Sequence, residues 1–331
     1  MANWFRSRPK MSIFLGILTG VIILLFVLAI KPFSLKETFT PIPAESYEEA
    51  LRRIETIQAE ESSLDLHPEC ATQLQTHGQK TETVIVFLHG FTSCPAQFAD
   101  LGREFYERGY NVYVPRTPRH GFDNRRGEPL KGLTAEEMAA FAQKTADIAQ
   151  GLGERVIVSG ISGGGAMTTY LSQERSDVEI AAPIAPFLGI GFIPRPLNRP
   201  FANLFLILPD FWQWWDPVHK EDNPLSAPFA YARYPLHALL ENMRLGYAAE
   251  ADAKRTRPAA AKIIVITNAN DDSVNNGVIA EFEQMWREHG DDNFVTFQFE
   301  GALGLPHDLI TAIRPGARVD VVYPKLLELI R

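Results

Sequence analysis

The residues with the clearest chemical potential are Gly160-Ile161-Ser162-Gly163-Gly164, directly after the apolar run Arg155–Ser159 (RVIVS) and directly before a helical stretch. A serine forced onto a sharp strand-to-helix turn projects its hydroxyl above the carboxyl edge of a sheet. Flanking glycines leave room for a backbone few other residues adopt and for close strand–helix packing. No lysine follows as a phosphate loop requires, which argues against a nucleotide site. A serine alcohol is a poor nucleophile without a base, and the base needs a carboxylate to orient it. Three further segments fall just after predicted strands. They are Leu88-His89-Gly90-Phe91-Thr92, the turn Asn268-Ala269-Asn270-Asp271-Asp272-Ser273-Val274, and Gly304-Leu305-Pro306-His307-Asp308.

In this order, the four segments resemble the α/β-hydrolase family, and more closely its carboxylesterase, lysophospholipase and monoacylglycerol-lipase branch, over roughly Thr83–Arg331. The resemblance implies Ser162 as nucleophile, followed in chain order by the acid and then the histidine. Asp271, with Val274 three positions later, fits the family's acid turn better than Asp272, although the pair also suits a turn or helix cap. His307 lies on a loop beyond the final predicted strand, where the base belongs, whereas His289 ends a helix. The backbone N–H groups of Phe91 and Gly163 are the implied oxyanion donors. His89 is expected to be structural. Arg119-His120-Gly121-Phe122 resembles a P-G-H-G turn of this branch with Arg119 replacing a glycine, and is also expected to be structural. The implied reaction is carboxylic-ester hydrolysis through an acyl-enzyme. An acyltransferase uses the same triad while excluding water, so that reading stays open, as does a non-catalytic binding module on the same scaffold. No cofactor and no metal are expected, since neither H-E-x-x-H, a Cys/His cluster, nor G-x-G-x-x-G after a strand occurs.

The elements that must position these residues follow from periodicity. Strands are predicted at Thr83–Leu88, Asn111–Val114, Arg155–Ser159, Glu179–Ala185, Lys262–Thr267 and Asn293–Phe299. Helices are predicted at Ser46–Ser63, Ala96–Arg108, Thr134–Leu152, Gly163–Glu174, Val278–His289 and Val319–Ile330. The third of these carries a capping box from Thr134 to Glu137 and a stop at Gly151. The amphipathic first helix packs on the core or lies near a membrane surface. Short apolar runs alternating with helices give a mainly parallel sheet covered on both faces. The alternation breaks between Pro186 and Pro258, an aromatic and proline-rich stretch read as a helical lid over about 187–257. Its tryptophans Trp212, Trp214 and Trp215 either line an acyl pocket or pack the lid onto the core.

Met11–Ile30 carries no charge, and at 1.5 Å per residue a helix of about 20 residues spans the roughly 30 Å of a bilayer core. The run exceeds a usual signal core and lacks a convincing small-x-small exit, so an uncleaved anchor is favoured over a signal peptide. Arg6, Arg8 and Lys10 before the span, against Lys31 and Lys36 offset by Glu37 after it, keep the N-terminus cytoplasmic. The rest then lies on the periplasmic, extracellular or lumenal side. The organisation read from this is a segment 1–10, an anchor 11–30, a proline-containing spacer 31–45 and a hydrolase-like domain 46–331. The chain of 331 residues holds 32 Lys and Arg against 40 Asp and Glu, an acidic balance that argues against a nucleic-acid partner. A small-molecule or lipid ester is the expected partner; oligomeric state is not legible. Its two cysteines, Cys70 and Cys94, would face an oxidising compartment and are expected to form a disulfide.

Overall fold

The apolar β-branched run within Thr81–Leu88 (β2) shows how the molecule is layered. Val84, Val86 and Leu88 enter one buried cluster while Ile85 and Phe87 enter another, because successive side chains of a strand face opposite sides of the sheet. Burying each such side chain contributes about 1.5–3 kcal/mol. In the computed structural model, which describes residues 9–31, 33, 35, 39–289 and 293–331, β2 lies inside a seven-stranded sheet. The other strands are Gln73–Gln75 (β1), Asn111–Val114 (β3), Gly153–Ile161 (β4), Ile180–Ile184 (β5), Lys262–Asn268 (β8) and Phe294–Phe299 (β9), ordered β1-β3-β2-β4-β5-β8-β9. Strand β1 pairs antiparallel with β3, and every other pair is parallel. The carboxyl ends of β2, β4, β8 and β9 therefore share one edge.

Helices Tyr47–Glu61 (α2), Ala135–Leu152 (α4), Gly163–Glu174 (α5), Leu236–Ala253 (α7) and Asn276–Glu288 (α8) cover one face. Ala99–Tyr106 (α3) and Val319–Leu329 (α9) cover the other. Pro9–Ile30 (α1) precedes them. The expected segment 1–10 falls almost wholly outside the described residues, as do Pro32, Lys36 and Glu37 of the spacer.

Several expectations are corrected. The helix expected over Ala96–Arg108 is a 3₁₀ turn at Pro95–Phe98 followed by α3, which ends before Gly109 at a φ of 90°. Gly151 does not stop α4, which runs through Leu152 directly into β4. Its role is close packing: a Cβ there would meet the Ser46 carbonyl at 2.4 Å and Ala50 at 2.8 Å. That contact seats α2, whose Ala50 and Ile54 are buried, against the core. The insertion between β5 and β8 is not purely helical. It contains Asn198–Phe205 (α6) and α7, but also an antiparallel ribbon of Trp212–Trp214 (β6) and Arg233–Pro235 (β7).

Candidate active site

Ser162 sits between β4 and α5 at φ 56° and ψ −113°, a left-handed conformation that costs a non-glycine residue about 1–3 kcal/mol. The surroundings impose it. The Ser162 N–H donates to the Ile184 carbonyl at 3.0 Å, and its own carbonyl accepts from Phe187 at 2.9 Å. The turn is also pressed onto the neighbouring strand, since a Cβ on Gly164 would lie 1.8 Å from the Leu88 carbonyl oxygen. The half-buried hydroxyl thus stands at the N-terminus of α5, the positive end of the helix dipole.

The turn after β2 faces it. A Cβ on Gly163 would lie 3.0 Å from the Phe91 nitrogen, so the two expected oxyanion donors are neighbours. Hydrogen bonds shape this turn from within. The Gly90 N–H donates to Gln97 Oε1 at 2.8 Å, and His89 Nε2 accepts from the Thr117 N–H at 3.0 Å while Nδ1 is paired with the Gly90 carbonyl at 3.0 Å. Burial holds the His89 imidazole well below its usual range, hence neutral, as acceptance at Nε2 requires. His89 is a scaffold residue here.

His120 packs edge-on against both His89 and Phe91, with ring centroids 5.2 and 5.9 Å away, and burial pushes its pKa down to about 4. Arg119 adopts φ 67°, which explains why the resembling turn carries glycine at this place. Cys70 and Cys94 form a disulfide, Cα atoms 5.3 Å apart, joining the segment before β1 to the turn beyond Phe91. Cys70 lies ahead of the edge strand rather than on it. Closing a loop of this length contributes roughly 3 kcal/mol in the chain-entropy account.

At the far side of the same edge, the Asp271 side chain is fully buried. Its Oδ1 accepts from the N–H groups of Ser273 and Val274 at 3.0 and 3.1 Å, and its Oδ2 meets His307 Nδ1 at 2.7 Å. That leaves Nε2 as the free face of the ring. Asp272 is exposed and accepts from the hydroxyl of its neighbour Ser273. No hydrogen bond joins Ser162 Oγ to His307 among the described residues; such contacts often tighten only with substrate bound.

Two amides that the sequence did not single out complete the surroundings. Buried Asn268 donates from Nδ2 to the carbonyls of Leu305 and Pro306 at 2.8 and 3.1 Å, fixing the His307 loop to the end of β8. Asn242 of α7 places Oδ1 2.8 Å from where a Gly163 Cβ would project. Neither had a signal in spacing, because a lone buried asparagine reads like any polar helix or turn residue.

The tryptophans expected to act together divide. Trp215 donates from Nε1 to Thr92 Oγ1 at 2.9 Å, and its ring lies 6.4 Å from Phe91. Trp212 and Trp214, two apart on β6 and so on one face, stack instead on the Arg233 guanidinium at 4.4 and 5.4 Å. Of these three, Trp215 is the one in contact with Thr92 and Phe91.

A positive-φ serine at a strand–helix turn and an Asp–His pair thus stand at the same carboxyl edge of the sheet. A profile of the Alpha/beta hydrolase family matches residues 85–319. The chain belongs to the alpha/beta hydrolase family. It is 23% identical over 233 residues, 65% of this chain and 84% of the relative, to a thermostable monoacylglycerol lipase of Bacillus sp. (strain H-257). Among solved structures it resembles the metagenome-derived lipolytic enzymes LipS and LipT (TM-score 0.56, 19% identity, 80% of this chain and 99% of that one). It also resembles a Paleococcus ferrophilus monoacylglycerol lipase (TM-score 0.57, 16% identity, 79% and 98%). These relatives place the chain with the family's esterase and lipase branch.

Proposed function

We propose that this hydrolase cleaves carboxylic esters through an acyl-enzyme on Ser162. His307 takes the Ser162 proton as Oγ attacks the acyl carbonyl and returns it to the leaving alcohol. Asp271 holds the imidazole with Nδ1 protonated and stabilises the imidazolium that forms. The N–H groups of Phe91 and Gly163 receive the charge developing on the carbonyl oxygen. Water, activated by His307, then releases the acid. The observation that carries this reading is the 2.7 Å pair of His307 Nδ1 with buried Asp271 at the sheet edge where Ser162 stands.

The substrate we favour is a lipid ester with one acyl chain, a monoacylglycerol or lysolipid. The names of the lipolytic relatives support this, as do the aromatic insertion beside the oxyanion turn and α1. Residues Lys10–Leu28 are apolar and long enough to cross a bilayer and are almost wholly uncovered by the rest of the chain. On this reading α1 anchors the enzyme with its N-terminus cytoplasmic and the hydrolase domain on the far side, where the Cys70–Cys94 bridge persists. The Ser162→Ala variant, assayed on p-nitrophenyl butyrate and on monoacylglycerol, should lose about 10⁶ in turnover with its thermal midpoint kept. Activity near wild type would remove Ser162 from the mechanism.

A further inference from the structure

We propose that the bilayer crossed by α1 also covers an apolar ridge on the insertion, Ile207, Leu208 and Phe211. This rests on the reading of α1 as an anchor. The contact between α1 and the domain is specific. Asn203 Nδ2 on α6 donates to the Leu28 carbonyl, one of the last carbonyls of α1, which the helix itself leaves unpaired. Just beyond, Phe33 stacks on Tyr247 at 5.1 Å, and the Arg199 guanidinium lies 4.3 Å over the same tyrosine while pairing with Glu250. Leu28 and Phe33 are buried, whereas Ile13, Phe14 and Val27 on α1 are more than half exposed. The domain therefore grips the end of α1 and leaves the rest bare.

This grip sets a depth. A 22-residue helix is about 33 Å long, close to the roughly 30 Å hydrocarbon thickness. Leu28 lies two residues from its end, so Asn203, and α6 with it, is held at the lipid–water boundary. The stretch Phe201–Pro209 (FANLFLILP) carries no charge and holds Ile207 and Leu208; Asp210, whose Oδ1 accepts from the N–H groups of Phe211 and His237, separates them from Phe211. Ile207 is 64% exposed, and Leu208 and Phe211 are each 41% exposed. Phe211 is packed in turn on a ring row with Phe205 and Phe201, centroids 6.1 and 4.4 Å apart. An exposed apolar patch of this kind marks a membrane or partner contact. Lipid is the occupant because Asn203, one helical turn before Ile207, is bonded to the end of α1, whose exposed apolar side chains suit a bilayer. Phe211 lies four positions before Trp215, whose indole is bonded to Thr92 beside Phe91.

Full-length chain in phosphatidylcholine–phosphatidylglycerol vesicles, carrying a nitroxide at Ile207→Cys, Leu208→Cys or Glu107→Cys, tests the seating. Cys70 and Cys94 are bridged, so the introduced thiol is the one labelled. Glu107 is exposed at the end of α3 on the opposite face of the sheet. Collision with a water-soluble nickel chelate should be several-fold lower at 207 and 208 than at 107, with oxygen accessibility reversed. If alkaline carbonate extracts the protein from the vesicles, the anchor and the seating both fall. If the protein stays in the membrane but labels at 207 and 208 collide with the chelate as often as the one at 107, the seating is overturned and the anchor stands.

Discussion

Asp271 and Asp272 differ in what surrounds them more than in sequence position. The side chain of the first is wholly buried, with one oxygen on two backbone N–H groups and the other on His307; the second faces solvent. Asp271→Asn should therefore cost about 10⁴ in turnover, since the imidazole loses the partner that fixes its tautomer. Asp272→Asn should stay near wild type; steady-state kinetics on one ester gives the ranking, and the reverse ranking would move the acid by one residue. The offset of Asp271 from its strand was legible because the acid turn has a fixed length. Asn268 and Asn242 were not, because their partners, Leu305, Pro306 and Gly163, are brought to them only by the tertiary fold. His120 gives a pH prediction. It is held neutral by burial at a pKa of about 4 against an ordinary 6.5 in the unfolded chain. Between those values the unfolded state binds the extra proton, so this contribution is intact above pH 6.5 and is lost as pH falls toward 4. His89 acts in the same direction. The loss of urea stability from pH 7 to pH 5 should be smaller in His120→Asn than in wild type, and an equal loss in both would contradict the assignment.

Among the elements, six strands and most helices were readable because buried parallel strands are short apolar runs and amphipathic helices carry caps such as Thr134. Three things escaped. Strand β1 is Gln-Leu-Gln, too short and too polar for a periodic signal, and exists only through its pairing with β3. The ribbon β6–β7 lies in a run of tryptophans that reads as packing of any kind. Gly151 looked like a helix stop, yet it is small because Ser46 and Ala50 press against it. The ribbon also decides what the tryptophans do. Alternation turns Trp212 and Trp214 onto Arg233, and the residue just past the strand toward Thr92. Trp215→Ala should thus impair long-chain esters more than acetates, with a gap that widens by up to about 0.8 kcal/mol per contacting methylene. Trp212→Ala and Trp214→Ala should affect both substrates alike. A specificity ladder of acyl esters reads the difference, and equal losses for Trp215→Ala would leave it a packing residue.

For the whole molecule, the parallel sheet does most of the positioning. It brings residues as far apart in sequence as Phe91, Ser162, Asp271 and His307 to one edge, and the disulfide and insertion then tie the Phe91–Cys94 turn to neighbouring elements. The order of the motifs along the chain carried this information, because each follows a strand of the same sheet. What the order did not carry is how the end of α1 docks on α6, a contact made by Asn203, Phe33 and Arg199 with no shared motif. The central claim is that Ser162 is a nucleophile activated by His307. Covalent trapping tests it most directly: intact protein is treated with a fluorophosphonate and the labelled peptide is mapped by mass spectrometry. A single adduct on Ser162 is predicted, abolished by Ser162→Ala and strongly slowed by His307→Ala. An adduct on another residue, or ester hydrolysis that survives full occupancy of Ser162, would contradict it.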